Sequence, residues 1–123
     1  MLEKKNIVEV KMYYQNKYKN KKTIIDGIEF DSKAEAKRFC ELRLLEKARK
    51  IKDLTLQPCF ILQPSFKKNG KTYRKIEYIA DFQYEENGQV IVEDVKGMKT
   101  KEFQIKRKLF EYKYPDLEIK IIK

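Results

Sequence analysis

Residues 77–99 constrain the fold of this chain more than any other stretch. Residues 76–84 and 90–95 are rich in aromatic and β-branched side chains, which favour β-strands. Between them stands Glu85-Glu86-Asn87-Gly88, and Asn-Gly is the strongest short hairpin signal because both residues tolerate a positive φ. The sequence therefore predicts two antiparallel strands joined by a tight turn.

The length of that turn decides which side chains share a face of the hairpin. With a two-residue loop at Asn87-Gly88, Asp81 lies directly opposite Asp94. Lys96 then shares the face of Asp94, because side chains alternate along a strand. A four-residue loop keeps the two aspartates on one face as diagonal neighbours, whereas a three-residue loop places Asp81 opposite Glu93. Two of the three loops therefore bring two carboxylates and one lysine to one point.

This cluster has a chemical and a structural interpretation. Two like charges so close repel each other, and a divalent cation with oxygen ligands compensates that repulsion. Asp81 and Asp94 would then hold Mg²⁺ or Mn²⁺ for phosphodiester hydrolysis. Lys96 would orient the attacking water or neutralise the charge that develops. In the structural alternative, two exposed acids lie on an edge strand and Lys96 makes a salt bridge.

Composition narrows both the partners and the chemistry. Lysine and arginine outnumber aspartate and glutamate by 29 to 19, and the net charge of +10 attracts polyanions, with nucleic acid the first candidate. A lysine-rich surface that is merely solvated is the alternative. The chain has no histidine, which excludes histidine-metal nucleases, Ser-His-Asp hydrolases and Cys-His proteases.

The two cysteines and the distribution of apolar residues indicate the cellular compartment in which the protein is expected. Cys40 and Cys59 are too far apart for a zinc-ligand or redox spacing, and we expect both to be small buried hydrophobic residues in a reducing cytoplasm. No apolar run approaches the roughly 18 residues of a membrane span. The N-terminus also lacks the apolar stretch of a signal peptide. We therefore expect a cytoplasmic protein with no membrane partner.

The pattern divides the chain into a basic N-terminal arm, residues 1–22, and a single domain, residues 23–123. The N-terminal arm contains seven lysines and two glutamates, and we expect a short strand at residues 7–12. Basic residues mixed with tyrosines can grip a phosphate backbone and stack on bases. A frayed terminus solvated by lysines is the alternative.

Within the domain, the pattern predicts a hairpin, a helix, three strands, a second helix and a last strand. The predicted bounds are a hairpin at 23–30, a helix at 32–50, a strand at 54–63 interrupted by Pro58, a polar connection at 64–72, strands at 76–84 and 90–95, a helix at 100–114 and a strand at 117–122. The second helix lies between two strands and so forms a crossover unit. We therefore expect an α/β fold with a mixed central sheet flanked by helices.

Glu35 has two candidate roles. It is the last residue of the capping box Ser32-Lys33-Ala34-Glu35, in which it would cap the first helix. It also shares one helical stripe with Phe39 and Leu42, so its side chain is aimed along the side of two core residues. In the second role it is a third carboxylate that reaches the metal site.

Lys106 presents a similar choice on the second helix. It falls on the stripe of Phe103 and Phe110, which is expected to face the sheet. Its side chain either extends outward to solvent or points into the site.

Several motifs together carry a resemblance that covers nearly the whole chain after residue 15. They are Asn16-Lys17-Tyr18, Asp26-Gly27, FDSKAEA at residues 30–36, Gln57-Pro58, YIADF at 78–82, VEDVKG at 92–97 and Lys106. An acid on one strand followed by (D/E)-x-K on the next resembles the PD-(D/E)xK nuclease superfamily. More narrowly, the chain resembles a family of short phage and prophage proteins, catalogued as a domain of unknown function and grouped with those nucleases.

The resemblance implies roles for individual residues. Asp81 corresponds to the first acid of the motif, Asp94 to the second and Lys96 to its lysine. Glu35 corresponds to a first-helix glutamate that joins the metal site in several branches, including archaeal-type Holliday junction resolvases. Ala80 stands where the name-giving proline would be, as in many members of the superfamily. Glu93, adjacent to Asp94, would take its place if the register slipped.

The resemblance also implies a fold and an activity. The expected fold is restriction-endonuclease-like, with an α-β-β-β-α-β core after a short N-terminal hairpin. The expected activity is Mg²⁺- or Mn²⁺-dependent endonucleolytic cleavage of duplex or branched DNA, such as recombination intermediates, by a phage or prophage protein in a bacterial host. Small resolvases work as two-fold dimers, so a homodimer is expected. The candidate DNA-binding residues are Lys33, Lys99, Lys106 and, in the N-terminal arm, Lys17 and Tyr18.

Three other functions compete with this one. The first is a nucleic-acid-binding protein that retains the fold without catalysis, which predicts salt-sensitive binding and no cleavage. The second is a restriction-type or exonucleolytic enzyme on the same core. The third is an interaction protein whose basic surface contacts an acidic partner.

Overall fold

A computed structural model describes residues 22–123 of the chain. The strand expected at residues 7–12 and the candidate residues Lys17 and Tyr18 lie outside the described residues. The described elements, in chain order, are β1 Thr23–Ile25, β2 Ile28–Phe30, α1 Lys33–Lys47, β3 Lys52–Leu56, β4 Cys59–Gln63, β5 Phe66–Lys68, β6 Lys71–Tyr73, β7 Ile76–Ile79, β8 Phe82–Glu86, β9 Gln89–Val95, α2 Lys101–Lys113 and β10 Ile119–Ile122. Neither helix is long and apolar enough to cross a membrane.

The central sheet has four strands in the order β10-β9-β8-β3. β8 runs antiparallel to both β3 and β9, whereas β10 returns through α2 to lie parallel to β9. With α1 preceding β3, the layer reads α-β-β-β-α-β along the chain, as predicted. The fold is a mixed α/β fold, and the predicted fold class is confirmed.

The two helices cover two apolar clusters that alternate along the central strands. Phe39 and Leu42 of α1 pack with Phe82 and Tyr84 of β8, and all four side chains are buried. A second cluster lies under α2 and consists of Leu62, Tyr78, Ala80, Val92, Phe103, Phe110 and Ile119. Side chains of successive strand residues point to opposite faces, so β9 contributes Ile91 and Val95 to the first cluster and Val92 to the second.

The turn of the central hairpin has the predicted two residues. Asn87 and Gly88 have φ values of 53° and 80°, the conformation that a two-residue hairpin loop requires. The ladder runs from Glu86 opposite Gln89 to Phe82 opposite Glu93. The predicted register is therefore confirmed as far as Phe82 opposite Glu93, the ladder pair next to Asp81 and Asp94.

The strand predicted at residues 54–63 is interrupted at Pro58 as expected, whereas the strand predicted at residues 76–84 is divided in two and that prediction is wrong as a single strand. The first breaks at Gln57-Pro58, where Gln57 has a φ of 52°, and the second breaks at Ala80-Asp81. The breaks face each other, because the Gln57 N–H donates to the Asp81 carbonyl at 3.0 Å and the Ala80 N–H donates to the Pro58 carbonyl at 3.1 Å. Both strands therefore leave the central sheet together, at the position of Asp81.

Beyond this bend the chain forms a two-stranded ribbon rather than a polar connection at residues 64–72. β4 pairs with β7, and β5 pairs with β6 further out. The ribbon turns at Asn69-Gly70, whose φ values of 53° and 76° repeat the geometry of the central turn. The inner ribbon is β4 with β7, and the outer ribbon is residues 66–73.

Smaller predictions differ at their edges. The hairpin of β1 and β2 turns at Asp26-Gly27 as predicted. The first helix ends at Lys47 rather than at residue 50, and the last strand begins at Ile119 rather than at residue 117. Cys40 and Cys59 are exposed, so the prediction that both are buried is wrong. Cys40 lies on the solvent side of α1. Cys59 is the first residue of β4, and its thiol donates a hydrogen bond to Glu77.

Candidate functional site

Asp81 is positioned by the bend between the inner ribbon and the central sheet. Its own N–H donates to the carbonyl of Glu93 at 3.1 Å, which holds it against β9. Its carboxylate Oδ2 accepts a hydrogen bond of 2.7 Å from the N–H of Val95. The side chain is thus tied across the strand that carries Asp94.

Asp94 is buried, at 3% exposure, near the end of β9. Its Oδ2 accepts a hydrogen bond from the hydroxyl of Tyr78, and its Oδ1 forms an ion pair with Lys96 Nζ at 3.3 Å. The Lys96 amine also lies 4.5 Å from the ring centre of Phe103, the first buried residue of α2. About a quarter of the Lys96 side chain is exposed, so its charge stands where the buried acids meet solvent.

Glu35 approaches the same place from the first turn of α1. Ser32 is the N-cap, and its side-chain oxygen accepts the Glu35 N–H at 3.1 Å. The Glu35 side chain is buried at 7% exposure, together with Phe39 and Leu42 on the predicted stripe. Its carboxyl group interacts with the Asp31 backbone at the helix start and with Asp81. The capping role and the site role are therefore both available to this side chain.

Glu35 and Asp81 influence each other's ionisation. Burial, and then the charges of Glu35 and Asp94, together raise the pKa of Asp81 to about 8, against the lowering effect of the Val95 N–H. Burial likewise raises the pKa of Glu35, although its hydrogen bond to Asp81 lowers it. The raised pKa values of Glu35 and Asp81 disfavour the ionisation of both of these carboxyl groups at once.

The donor set suits a hard divalent cation, but it is not closed around one position. Among residues 22–123, no three acidic or cysteine side chains converge as a group that could enclose a metal ion. The two oxygens of Asp94 contact Tyr78 and Lys96. Oxygen donors and an uncompensated negative charge fit Mg²⁺ or Mn²⁺ by chemistry. Asp81, Asp94 and Glu35 are the residues that would hold such an ion.

Glu93 does not belong to this cluster. It is fully buried on the α1 side of the sheet, where Arg38 Nε and Nη2 donate to its two oxygens at 2.8 and 2.7 Å. The Tyr84 hydroxyl donates to the same carboxylate. A bidentate pair to arginine occupies the oxygens of Glu93, so the register slip that would put Glu93 in place of Asp94 does not occur.

The candidate DNA-binding residues are spread over the surface. Lys33 and Lys99 are exposed at the starts of the two helices, beside the cluster in the chain. Lys106 extends outward along α2, where its amine pairs with the exposed Glu102 at 3.3 Å. Of its two predicted orientations, the one toward solvent is therefore the one that the structure has.

Tyr78 is a site-related side chain that the sequence did not assign. Burial, and then its bond to Asp94, raise the pKa of Tyr78 well above its usual range, so its hydroxyl stays protonated and donates. The alternation of side chains along a strand does not place Tyr78 beside Asp94, because the bend at Ala80-Asp81 interrupts the strand. The sequence shows only that a tyrosine stands three residues before Asp81, and its burial against Asp94 is seen in the structure.

Comparison with known proteins adds a family to this geometry. A family model described as "Protein of unknown function (DUF1064)" matches residues 15–123. No curated protein and no solved structure matches the chain.

Proposed function

The chain belongs to the DUF1064 family of proteins of unknown function, and from its site we propose that it is a Mg²⁺- or Mn²⁺-dependent DNA endonuclease that hydrolyses phosphodiester bonds. One observation carries the proposal: three carboxyl groups from α1, the bend and β9 lie near one lysine, and burial, followed by the charges of Glu35 and Asp94, raises the pKa of Asp81 to about 8. Buried acids with perturbed pKa values are typical of functional sites.

Each residue of the cluster has a task in this reaction. Asp81, Asp94 and Glu35 would hold the ion, which when bound polarises a phosphoryl oxygen and lowers the pKa of a water. Tyr78 holds one oxygen of Asp94 and so fixes the carboxylate plane. Lys96, at the solvent side of the cluster, provides the positive charge that stabilises a negatively charged transition state and orients the attacking water.

The net charge of +10 supports a polyanionic substrate. The resemblance to small resolvases supports branched or recombination DNA as the substrate, a homodimer as the active form and a phage or prophage protein working in the bacterial cytoplasm. Restriction-type or exonucleolytic cleavage on the same core is the competing reaction. Exposed Lys33 and Lys99, near the cluster, are the candidates for phosphate contacts.

The test is cleavage of labelled duplex, single-stranded, flap and four-way-junction DNA with Mg²⁺, Mn²⁺ or EDTA. We expect metal-dependent cuts by the wild type, and a loss of at least about 100-fold in Asp94→Asn and in Lys96→Ala. Glu118→Gln and Lys47→Ala, which change exposed side chains outside the cluster, are the matched controls and should cleave as the wild type does. Cuts that persist in Asp94→Asn would contradict the assignment of the site.

A DNA-binding protein without catalysis is the second candidate. The ion pair between Asp94 and Lys96, and the lack of a closed metal-binding group in the described residues, favour it. It predicts DNA binding that weakens steeply with salt and no cleavage of any substrate with either metal.

A further inference from the structure

The outer ribbon, residues 66–73, is unusually exposed for a pair of strands. All six strand residues of β5 and β6 are exposed, including the large side chains of Phe66 and Tyr73, at 42% and 39%. An exposed two-stranded ribbon is only marginally stable by itself. Such a projection with aromatic side chains is typical of a surface that contacts a partner.

The outer ribbon and the two residues on each side of it carry only positive charge. Residues 64–75 contain five basic residues and no acidic one. Within residues 22–123, Lys75 pairs with Glu77 at 3.3 Å, but no carboxylate pairs with Lys67, Lys68 or Lys71. Lys68 lies directly opposite Lys71 in the ladder, an arrangement that is destabilising until an anion lies between or above the two charges.

The two aromatic rings stiffen the same face. Phe66 is opposite Tyr73, two residues along each strand from the lysine pair, so all four side chains share one face. The rings are stacked with centres 4.7 Å apart and planes at 12°, and the Lys71 amine lies 5.1 Å from the Tyr73 ring centre. These rings are already engaged with each other and with a cation, so they are not a free platform for stacking bases of a single strand.

The outer ribbon continues in the chain from the inner ribbon, which contacts the candidate site. The inner ribbon carries Tyr78, which bonds Asp94, and it ends at Asp81. α2 anchors the other strand, because Lys113 Nζ and the Tyr114 hydroxyl both donate to the Ile61 carbonyl, at 2.7 and 3.2 Å. At about 3.3 Å per residue, the seven residues from Tyr78 to Lys71 span about 23 Å. That reach corresponds to about seven nucleotides along a duplex.

We propose that the outer ribbon is a binding site for duplex DNA, with Lys67, Lys68 and Lys71 on phosphates about seven base pairs from the point of cleavage. A two-stranded ribbon fits the width of the major groove. The assignment of DNA as the partner rests on the proposed function of the site. The contact positions the substrate and does not take part in the chemistry.

The test is binding of a labelled duplex of about 20 base pairs in EDTA, measured by fluorescence anisotropy over a range of salt concentrations. We expect Lys68→Gln/Lys71→Gln to bind at least about tenfold more weakly and to lower the salt slope by about two. Lys47→Gln/Lys50→Gln, a charge-matched change of exposed residues at the end of α1, should keep both values. Lys68→Arg/Lys71→Arg should keep them as well, because it conserves the charges.

Three results would overturn the proposal: equal losses in the α1 control, a loss in the arginine variant equal to that in the glutamine variant, or an effect confined to single-stranded DNA. Because the changed residues are exposed, the thermal midpoint should stay within about 2 °C of the wild type, which verifies folding. Cleavage is scored separately. Weakened binding by the glutamine variant in a protein that never cuts would support the ribbon and reject the nuclease. If the glutamine variant binds DNA as tightly as the wild type and also cleaves it, the nuclease is supported and the ribbon proposal is rejected.

Discussion

Glu93 and Asp94 are consecutive residues with the same chemistry, and the structure gives them unrelated roles. Both are buried, but on opposite faces of β9. Glu93 faces α1 and is neutralised by Arg38, whereas Asp94 faces α2, accepts a hydrogen bond from Tyr78 and forms an ion pair with Lys96. The two-residue turn is what assigns each acid to its face.

At this scale, Arg38→Met is expected to lower the free energy of unfolding by about 3–5 kcal/mol. The reason is that Glu93, at 0% exposure, would keep a buried charge without a partner. Urea denaturation measures the loss. Lys52→Ala, which removes an exposed contact of 3.9 Å to Glu85, is the control and should cost no more than about 1 kcal/mol.

The double variant Arg38→Met/Glu93→Met sharpens this comparison. It removes both charges, so no unpaired charge stays buried. It should therefore be more stable than Arg38→Met alone, although Tyr84 loses its acceptor. If Arg38→Met costs no more than the Lys52 control, the pair is not what balances the charge of Glu93.

Among the elements, α2 has the widest influence because it packs on both the central sheet and the inner ribbon. Phe110 is fully buried and its ring lies 4.9 Å from Phe60, 5.6 Å from Tyr78 and 5.2 Å from Tyr114, centre to centre. Through Tyr78 this packing reaches the carboxylate of Asp94. The stability of the inner ribbon and the geometry of the site are therefore linked.

Phe110→Ala is expected to cost about 3–5 kcal/mol of stability, because it opens a cavity where the helix meets the inner ribbon. Tyr112→Ala, two residues away at 87% exposure, should change stability by less than about 0.5 kcal/mol. Denaturant unfolding followed by circular dichroism compares the two. Similar losses in both variants would mean that the packing of Phe110 is not what holds α2 to the ribbon.

For the whole molecule, the site introduces a pH dependence that opposes the general trend of a basic protein. The pKa of Asp81 is 3.8 when the chain is unfolded and about 8 in the folded protein. Between these pH values the folded protein keeps a proton that the unfolded chain has lost, so the free energy of unfolding decreases as pH rises and levels off above pH 8.

Without metal, we therefore expect the wild type to lose on the order of 2 kcal/mol of stability between pH 5 and pH 8 relative to Asp81→Asn. Mn²⁺ or Mg²⁺ should raise the thermal midpoint more at pH 8 than at pH 5, because cation binding requires the ionised acids. Thermal unfolding in EDTA and in excess metal measures both effects. The Asp81→Asn variant subtracts the pH dependence of the other charges, and a metal response equal to the wild type's in that variant would contradict the site.

Local patterns in the sequence were sufficient for much of this protein. Asn87-Gly88 determined the register of the central hairpin, and the Ser32 capping box determined the start of α1, because turns and caps depend on the conformational preferences of a few adjacent residues. The register in turn placed Asp81, Asp94 and Lys96 together. The order of the central α-β-β-β-α-β layer follows from the periodicity of its segments.

Only the tertiary structure decided the rest. The bend at Gln57-Pro58 and Ala80-Asp81 exists because two distant segments pair with each other on both sides of it, and no local pattern records such pairing. That bend makes the inner and outer ribbon, brings Tyr78 to Asp94, and leaves Cys59 exposed. Arg38 neutralises Glu93 from 55 residues away. Contacts between residues far apart in the chain depend on how whole elements pack, and packing is a property of the assembled fold rather than of any one stretch.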